Sequence, residues 1–171
     1  GGVVGTLMTN LGVELACQSD GIAFVRAQVG DRYVLEELLA RNWTLGGETS
    51  GHILCLDRST TGDGLVAALA VLEVMRTTQM PLAELVRGLT IFPQRLINVR
   101  LVSEAPKDLL ENSKVADEVL HCEKALGSRG RVILRLSGTE PVVRVMVEGE
   151  DRERVDLHAE RIAEAISTAS M

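Results

Sequence analysis

Two runs of alternating polarity, Arg131 to Leu136 and Val142 to Glu148, restrict the fold of this chain more than any other feature. Val132, Leu134 and Leu136 alternate with Arg131 and Arg135, and Val143, Val145 and Val147 alternate with Arg144 and Glu148. Side chains two apart share one face of a strand, so each run predicts a half-buried strand. The linking residues Ser137-Gly138-Thr139-Glu140-Pro141 carry the permissive Gly and rigid Pro of a turn, which predicts a hairpin. The same turn gathers Arg135, Ser137, Gly138, Thr139 and Arg144. Backbone N–H groups, hydroxyls and guanidinium forks together meet the needs of a phosphate dianion. A hairpin that merely carries exposed arginines accounts for these residues equally well, and the turn alone leaves both readings open.

Charge sharpens the question. The formal net charge of −6 over 171 residues argues against general affinity for nucleic acid or an anionic membrane. An anionic ligand therefore needs a local basic cluster. Cys17, Cys55 and Cys122 lie far apart without metal-ligand spacing, which reads as reduced thiols in a cytoplasmic protein. The most apolar run, Gly64 to Met75, is too short to span a bilayer. Gly1-Gly2-Val3-Val4-Gly5-Thr6 opens directly on an apolar run with no initiator Met, which reads as a fragment cut from a longer protein.

The first half alternates strand and helix, the pattern of an α/β layer domain. Val3 to Met8 reads as a strand, and Asn10 caps a helix that stops at Asp20-Gly21. A strand follows at Ile22 to Gln28. The next helix has Asp31 as its expected cap and a stripe of Val34, Leu35, Leu38 and Leu39. Short strands at Thr44 to Glu48 and His52 to Leu56 precede a helix that is apolar nearly all round until Met75, so its burial is expected. A short helix begins near Pro81. The pattern breaks at Phe92-Pro93, which divides the chain into an α/β domain at 1–92 and a small α+β domain at 93–171. In the second domain the order is strand, helix, strand, strand, helix. Val115, Val119, Cys122 and Leu126 share one helical face, as do Val155, Ala159, Ile162 and Ile166 behind the expected cap Asp151.

A second loop carries chemistry. In Gly46-Gly47-Glu48-Thr49-Ser50-Gly51-His52, the residues Glu48, Ser50 and His52 recur at every second position and would share a face in an extended segment. A carboxylate accepts sugar hydroxyls, and the hydroxyl and imidazole add donors. A glycine-rich strand connection is the alternative. Thr60-Thr61-Gly62-Asp63-Gly64 lacks the Lys of a Walker loop, and Asp63 reads as a helix cap. Gly30-Asp31-Arg32-Tyr33 is a further candidate ligand loop. No Gly-x-Ser-x-Gly elbow, nucleophile or metal cage is evident.

These loops, in this order, resemble the α-D-phosphohexomutases. Gly46 to His52 resembles their sugar-specificity loop, and Arg135 to Pro141 with Arg144 resembles their C-terminal phosphate loop. Val3 to Asn10, Val29 to Val34, Thr60 to Gly64 and Arg144 to Gly149 resemble the bacterial hexosamine-phosphate branch. The resemblance implies a mixed-sheet α/β/α third domain followed by a small α+β C-terminal domain. It implies an isomerase of hexosamine 6- and 1-phosphates that works through a bisphosphorylated sugar. The phosphoserine and the aspartate-rich Mg2+ loop of that family match nothing in this sequence, so chemistry and metal ligands are expected on the missing N-terminal domains. By position, Glu48 and Ser50 contact sugar hydroxyls, His52 lines the cleft, Gly30 and Arg32 face the ligand, and Arg135, Ser137, Gly138, Thr139 and Arg144 hold the phosphate that is not reacting. Thr49 departs from the branch, which leaves a hexose-phosphate mutase as an alternative, alongside a sugar-phosphate binding module without catalysis.

Overall fold

The computed structural model describes residues 1–101, 109–137 and 140–170. The chain divides into two compact units, Gly1–Ile91 and Phe92–Met171, each with its own apolar core.

The first unit is built on a mixed sheet of β1 (Gly2–Thr6), β2 (Ala23–Ala27), β3 (Leu45–Gly47) and β4 (Ile53–Cys55), in the order β2-β1-β3-β4. β1 runs parallel to both β2 and β3, while β4 is antiparallel to β3. Helices α1 (Leu11–Ser19) and α2 (Asp31–Arg41) make the crossovers. The chain steps from β1 to β2 in one direction and back past β1 to β3 in the other. Right-handed connections therefore put α1 and α2 on opposite faces, which produces the α/β/α layers. Val4, Ala27 and Leu54 pack with Val34 and Leu38 of α2. Gly46 makes that contact close, because a Cβ there would stand 2.7 Å from Val34 Cγ1. On α1, the Asn10 side chain accepts the Gly12 N–H as the spacing predicts. Arg26 of β2 ties the β1–α1 turn down, donating from Nη1 to the carbonyls of Thr6 at 2.9 Å and Thr9 at 2.7 Å while pairing with Glu14.

Three local expectations need correction. Gly30, not Asp31, is the N-cap of α2; Asp31 is already helical, and its carboxylate accepts the N–H of Arg32. The stripe of α2 is narrower than its spacing predicts, with Val34 and Leu38 buried and Leu39 turned out. The largest departure is α3 (Gly64–Thr78). Asp63 caps it with a side chain that accepts the N–H groups of Leu65 and Val66, but Ala67 is its one buried residue. Leu65, Leu69 and Leu72 stand 79%, 64% and 56% exposed. An all-apolar helix demands a cover, and this unit does not provide one. A short helix, α4 (Leu82–Leu85), follows Pro81.

The second unit holds β5 (Gln94–Arg100), α5 (Ser113–Leu126), β6 (Gly130–Leu136), β7 (Val142–Gly149) and α6 (Arg152–Ala169). The strands form an antiparallel sheet in the order β5-β7-β6. Val143, Val145 and Val147 point from the central strand into a core completed by Val115 and Cys122 of α5 and by Val155, Ala159, Ile162 and Ile166 of α6. Both helices take up the periodicities expected of them. Asp151 caps α6 by accepting the N–H groups of Glu153 and Arg154, and α5 stops at Gly127 with φ of 58°. Glu148, fully buried, pairs with Arg131 at 2.6 Å, so its charge is not left bare.

His158 of α6 is 5% exposed, its Nδ1 has no hydrogen-bond partner among the described residues, and the His121 ring of α5 lies 5.7 Å away. Burial pushes its pKa below the ordinary 6.5, reinforced by His121, Arg154 and Arg161 and opposed by Glu118. The unfolded chain thus takes up a proton that the folded one resists. Stability of the second unit is expected to fall as pH drops below about 6.5 and to recover as pH rises. Urea midpoints followed between pH 7.5 and 5 check this, and His158→Leu should flatten the slope. An equal slope in the variant contradicts it.

Candidate functional site

The β3–β4 hairpin loop supplies the first cluster. It is a tight turn rather than an extended segment: Gly51 (φ 98°) donates its N–H to the Glu48 carbonyl, and the Glu48 N–H donates to His52. Glu48, Ser50 and His52 converge nonetheless, by folding back and not by alternation. Ser50 Oγ donates to Glu48 Oε1 at 2.6 Å, and His52 Nδ1 lies 2.8 Å from the same oxygen. The second oxygen, Oε2, accepts the Gly30 N–H at 3.1 Å. Glu48 is nearly buried, with 8% of its side chain exposed, whereas His52 faces solvent.

These contacts set the charges. Hydrogen bonds from Ser50 and then His52 hold the Glu48 carboxyl below the usual carboxylate range. The hydrogen bond to Glu48 raises the His52 pKa, with the Asp31 and Glu48 charges adding to it and desolvation opposing. A carboxylate with two oxygens has lone pairs left after three donors, so Glu48 retains capacity for a ligand hydroxyl. His52 presents its other ring nitrogen outward. Beside the loop, an open groove of about 440 Å³ runs along the α1 face of the sheet past Val3, Phe24, Leu45 and Ile53 to Glu48 and Thr49. Its apolar walls do not suit a polyol, so the polar ends of the loop, and not the groove, are the sugar-compatible surface.

Gly30 is the anchor that the sequence does not announce. Its φ of 131° is open only to glycine, and this conformation aims its N–H at Glu48 from 18 residues away. Gly30→Ala is expected to cost about 1–3 kcal/mol from backbone strain alone. Chemical denaturation of the first unit measures it, and an unchanged midpoint contradicts it. Arg32, by contrast, is committed locally: it pairs with Glu36 at 2.8 Å on the exposed face of α2 and lies over the Tyr33 ring.

The second cluster lies on the outer face of the other sheet. Arg135 of β6 and Arg144 of β7 are direct cross-strand partners, and Asn98 of β5 continues the row. Like charges directly opposite one another are unfavourable unless something neutralises them. Among the described residues neither arginine has an ion pair or side-chain hydrogen bond, although Arg131 on the same strand is paired. Ser137 follows directly, its N–H bonded to the Val142 carbonyl where the turn begins. Gly138 and Thr139, the other expected phosphate contacts, lie outside the described residues. Asn98 escaped the sequence reading because only the strand register brings it beside Arg144.

Among the described residues no group of three or more His, Cys, Asp or Glu side chains is placed to hold a metal ion, and no helix is long and apolar enough to cross a membrane. Cys17, Cys55 and Cys122 are free thiols.

Comparison with known proteins identifies the two units. Residues 1–91 match the family model described as phosphoglucomutase/phosphomannomutase, alpha/beta/alpha domain III, and residues 96–165 match that of the C-terminal domain. Among curated proteins, the chain is 56% identical over 171 residues to a phosphoglucosamine mutase of Thioalkalivibrio sulfidiphilus, covering 99% of this chain and 38% of the relative. It is 54% identical over 166 residues to the phosphoglucosamine mutase of Escherichia coli, covering 97% of this chain and 37% of the relative. The chain thus spans less than two fifths of the length of these relatives. Among solved structures, an N-acetylphosphoglucosamine mutase of Aspergillus fumigatus, in complex with GlcNAc-6P and magnesium, superposes with a TM-score of 0.78 at 20% identity, over 99% of this chain and 39% of that one. A phosphomannomutase-like protein of Thermus thermophilus gives 0.61 at 21% identity, over 97% and 36%. These two share the fold. With both units matched in sequence order, the chain belongs to the phosphoglucomutase/phosphomannomutase family, as its third and C-terminal domains.

Proposed function

We propose that this chain is the substrate-holding part of a phosphoglucosamine mutase, interconverting glucosamine 6-phosphate and glucosamine 1-phosphate through a bisphosphorylated sugar. The observation that carries the reading is the opposed Arg135–Arg144 pair, unpaired among the described residues. Two guanidinium forks across neighbouring strands suit a phosphate dianion, which removes their mutual repulsion and accepts from both. The phosphate held there is the one not reacting, and its binding energy positions the other end of the sugar. Glu48 accepts sugar hydroxyls through its remaining lone pairs, Ser50 and His52 fix its orientation, and the other ring nitrogen of His52 accepts from a sugar hydroxyl when the ring is neutral and donates to one when it is protonated.

The residues here do not fit the magnesium ion of the family. Among the described residues no three His, Cys, Asp or Glu side chains are placed to share a metal ion; Glu48 Oε1 accepts from Ser50 and Oε2 from Gly30, and Asp63 Oδ1 caps α3. In this reading the metal and the phosphoryl donor belong to the part of the relatives' length that this chain does not span. Binding and orientation are what this segment contributes.

A polypeptide of the relatives' length that contains this segment tests the reading. Turnover of glucosamine 6-phosphate is expected to exceed that of glucose or mannose 6-phosphate in kcat/KM. A preference for either neutral sugar overturns the hexosamine assignment, and failure to turn over all of them overturns the mutase assignment.

A further inference from the structure

The bare leucine face of α3 has no role in the site. Leu65, Leu69 and Leu72 recur every three or four residues and form one stripe along the helix, at 79%, 64% and 56% exposure. Val74, a further apolar residue on the helix, is 50% exposed. The charges are few and partly occupied. Between Gly64 and Thr78 the chain has only Glu73 and Arg76, and Glu73 is paired with Arg58 in the loop before the helix. The pattern inverts that of a surface helix, which turns its charges to water and its leucines inward.

We infer that this stripe is an interface inside the longer polypeptide, covered by an apolar surface of the domains that precede residue 1. Two observations select that occupant over a second copy of the chain. The first is length: the family model that matches residues 1–91 is that of a third domain, and the chain spans 38% of a relative's length, so a large part of such a polypeptide lies outside this segment. The second is composition. A surface that associates and dissociates must also survive in water alone, so such interfaces keep polar and charged residues; a surface covered permanently resembles a core cut in half. A stripe of three leucines with no charge between them belongs to the second kind.

The experiment places a thiol on the stripe. Leu69→Cys, in a Cys17→Ser background that leaves only the buried Cys55 and Cys122 within these 171 residues, is labelled with a maleimide in the 171-residue chain and in a polypeptide of the relatives' length, and the label is read by mass spectrometry on the peptide that carries residue 69. Labelling is expected to be fast in the short chain and at least about ten-fold slower in the long one, at every protein concentration. Amide hydrogen exchange of α3, in both lengths without the Leu69 substitution, should show the same contrast and guards against disruption by the cysteine. Equal labelling and equal exchange in both lengths overturn the inference. Slow labelling of the short chain that deepens with concentration overturns it as well, because it assigns the face to a second copy.

Discussion

Arg144→Ala, introduced into a mutase of the relatives' length, is expected to lower kcat/KM by about 100-fold while leaving the fold intact or slightly more stable. The two halves of this expectation share one cause. Each charge-assisted hydrogen bond to a phosphate contributes on the order of 1.5–3 kcal/mol, so the loss of one fork removes about two decades. In the absence of ligand, however, Arg144 faces Arg135 across the β6–β7 ladder, and among the described residues no anion lies between them. Removing one charge relieves that repulsion. Steady-state kinetics with glucosamine 6-phosphate, paired with thermal melts of the 171-residue chain, read both effects. A decorated turn with no ligand predicts unchanged kinetics, and a structural arginine predicts a lower melting temperature. Only a phosphate holder separates activity from stability in this direction.

Gly12→Ala is the substitution expected to damage the fold most. Replacing an interior helical glycine by alanine is ordinarily worth up to about 1 kcal/mol of stabilisation. Here the sign reverses. Gly12 is buried in the first turn of α1, where a Cβ would collide with the Thr90 carbonyl oxygen. Backbone cannot yield as a flexible side chain does, so α1 or the segment at Thr90 must shift. Overpacking of this kind costs about 1–3 kcal/mol or more, which lowers the melting temperature of a unit this size by on the order of 10 °C. Differential scanning calorimetry decides it. Gly64→Ala is the control, because a Cβ at Gly64, the first residue of α3, meets nothing within 4 Å.

Much of this architecture was legible in the residues because it is local. Asn10, Asp63 and Asp151 each cap the helix they precede, and Gly127 ends α5 with positive φ, as sequence spacing predicts. The Arg131 to Glu148 hairpin follows from period-two alternation and its turn. Relations that depend on distant register were not legible. Asn98 stands beside Arg144 because β5 pairs with β7, and nothing near Asn98 signals this. Gly30 reaches Glu48 through its backbone N–H, a contact with no side-chain signature. The α3 expectation failed for a different reason. Hydrophobicity states that a surface must be covered, not that the cover lies within the same 171 residues.

The β6–β7 ladder has one more consequence. An antiparallel pair carries a local dyad between directly opposed residues, and Arg135 and Arg144 are opposed in this way. The backbone positions that present the two forks are therefore nearly interchangeable by a half-turn about the sheet normal. That dyad relates the two forks alone, since Asn98 flanks Arg144 and Ser137 lies at one end of the row. Under the proposed function, such a holder suits a bisphosphorylated sugar whose two phosphates would be gripped there in turn.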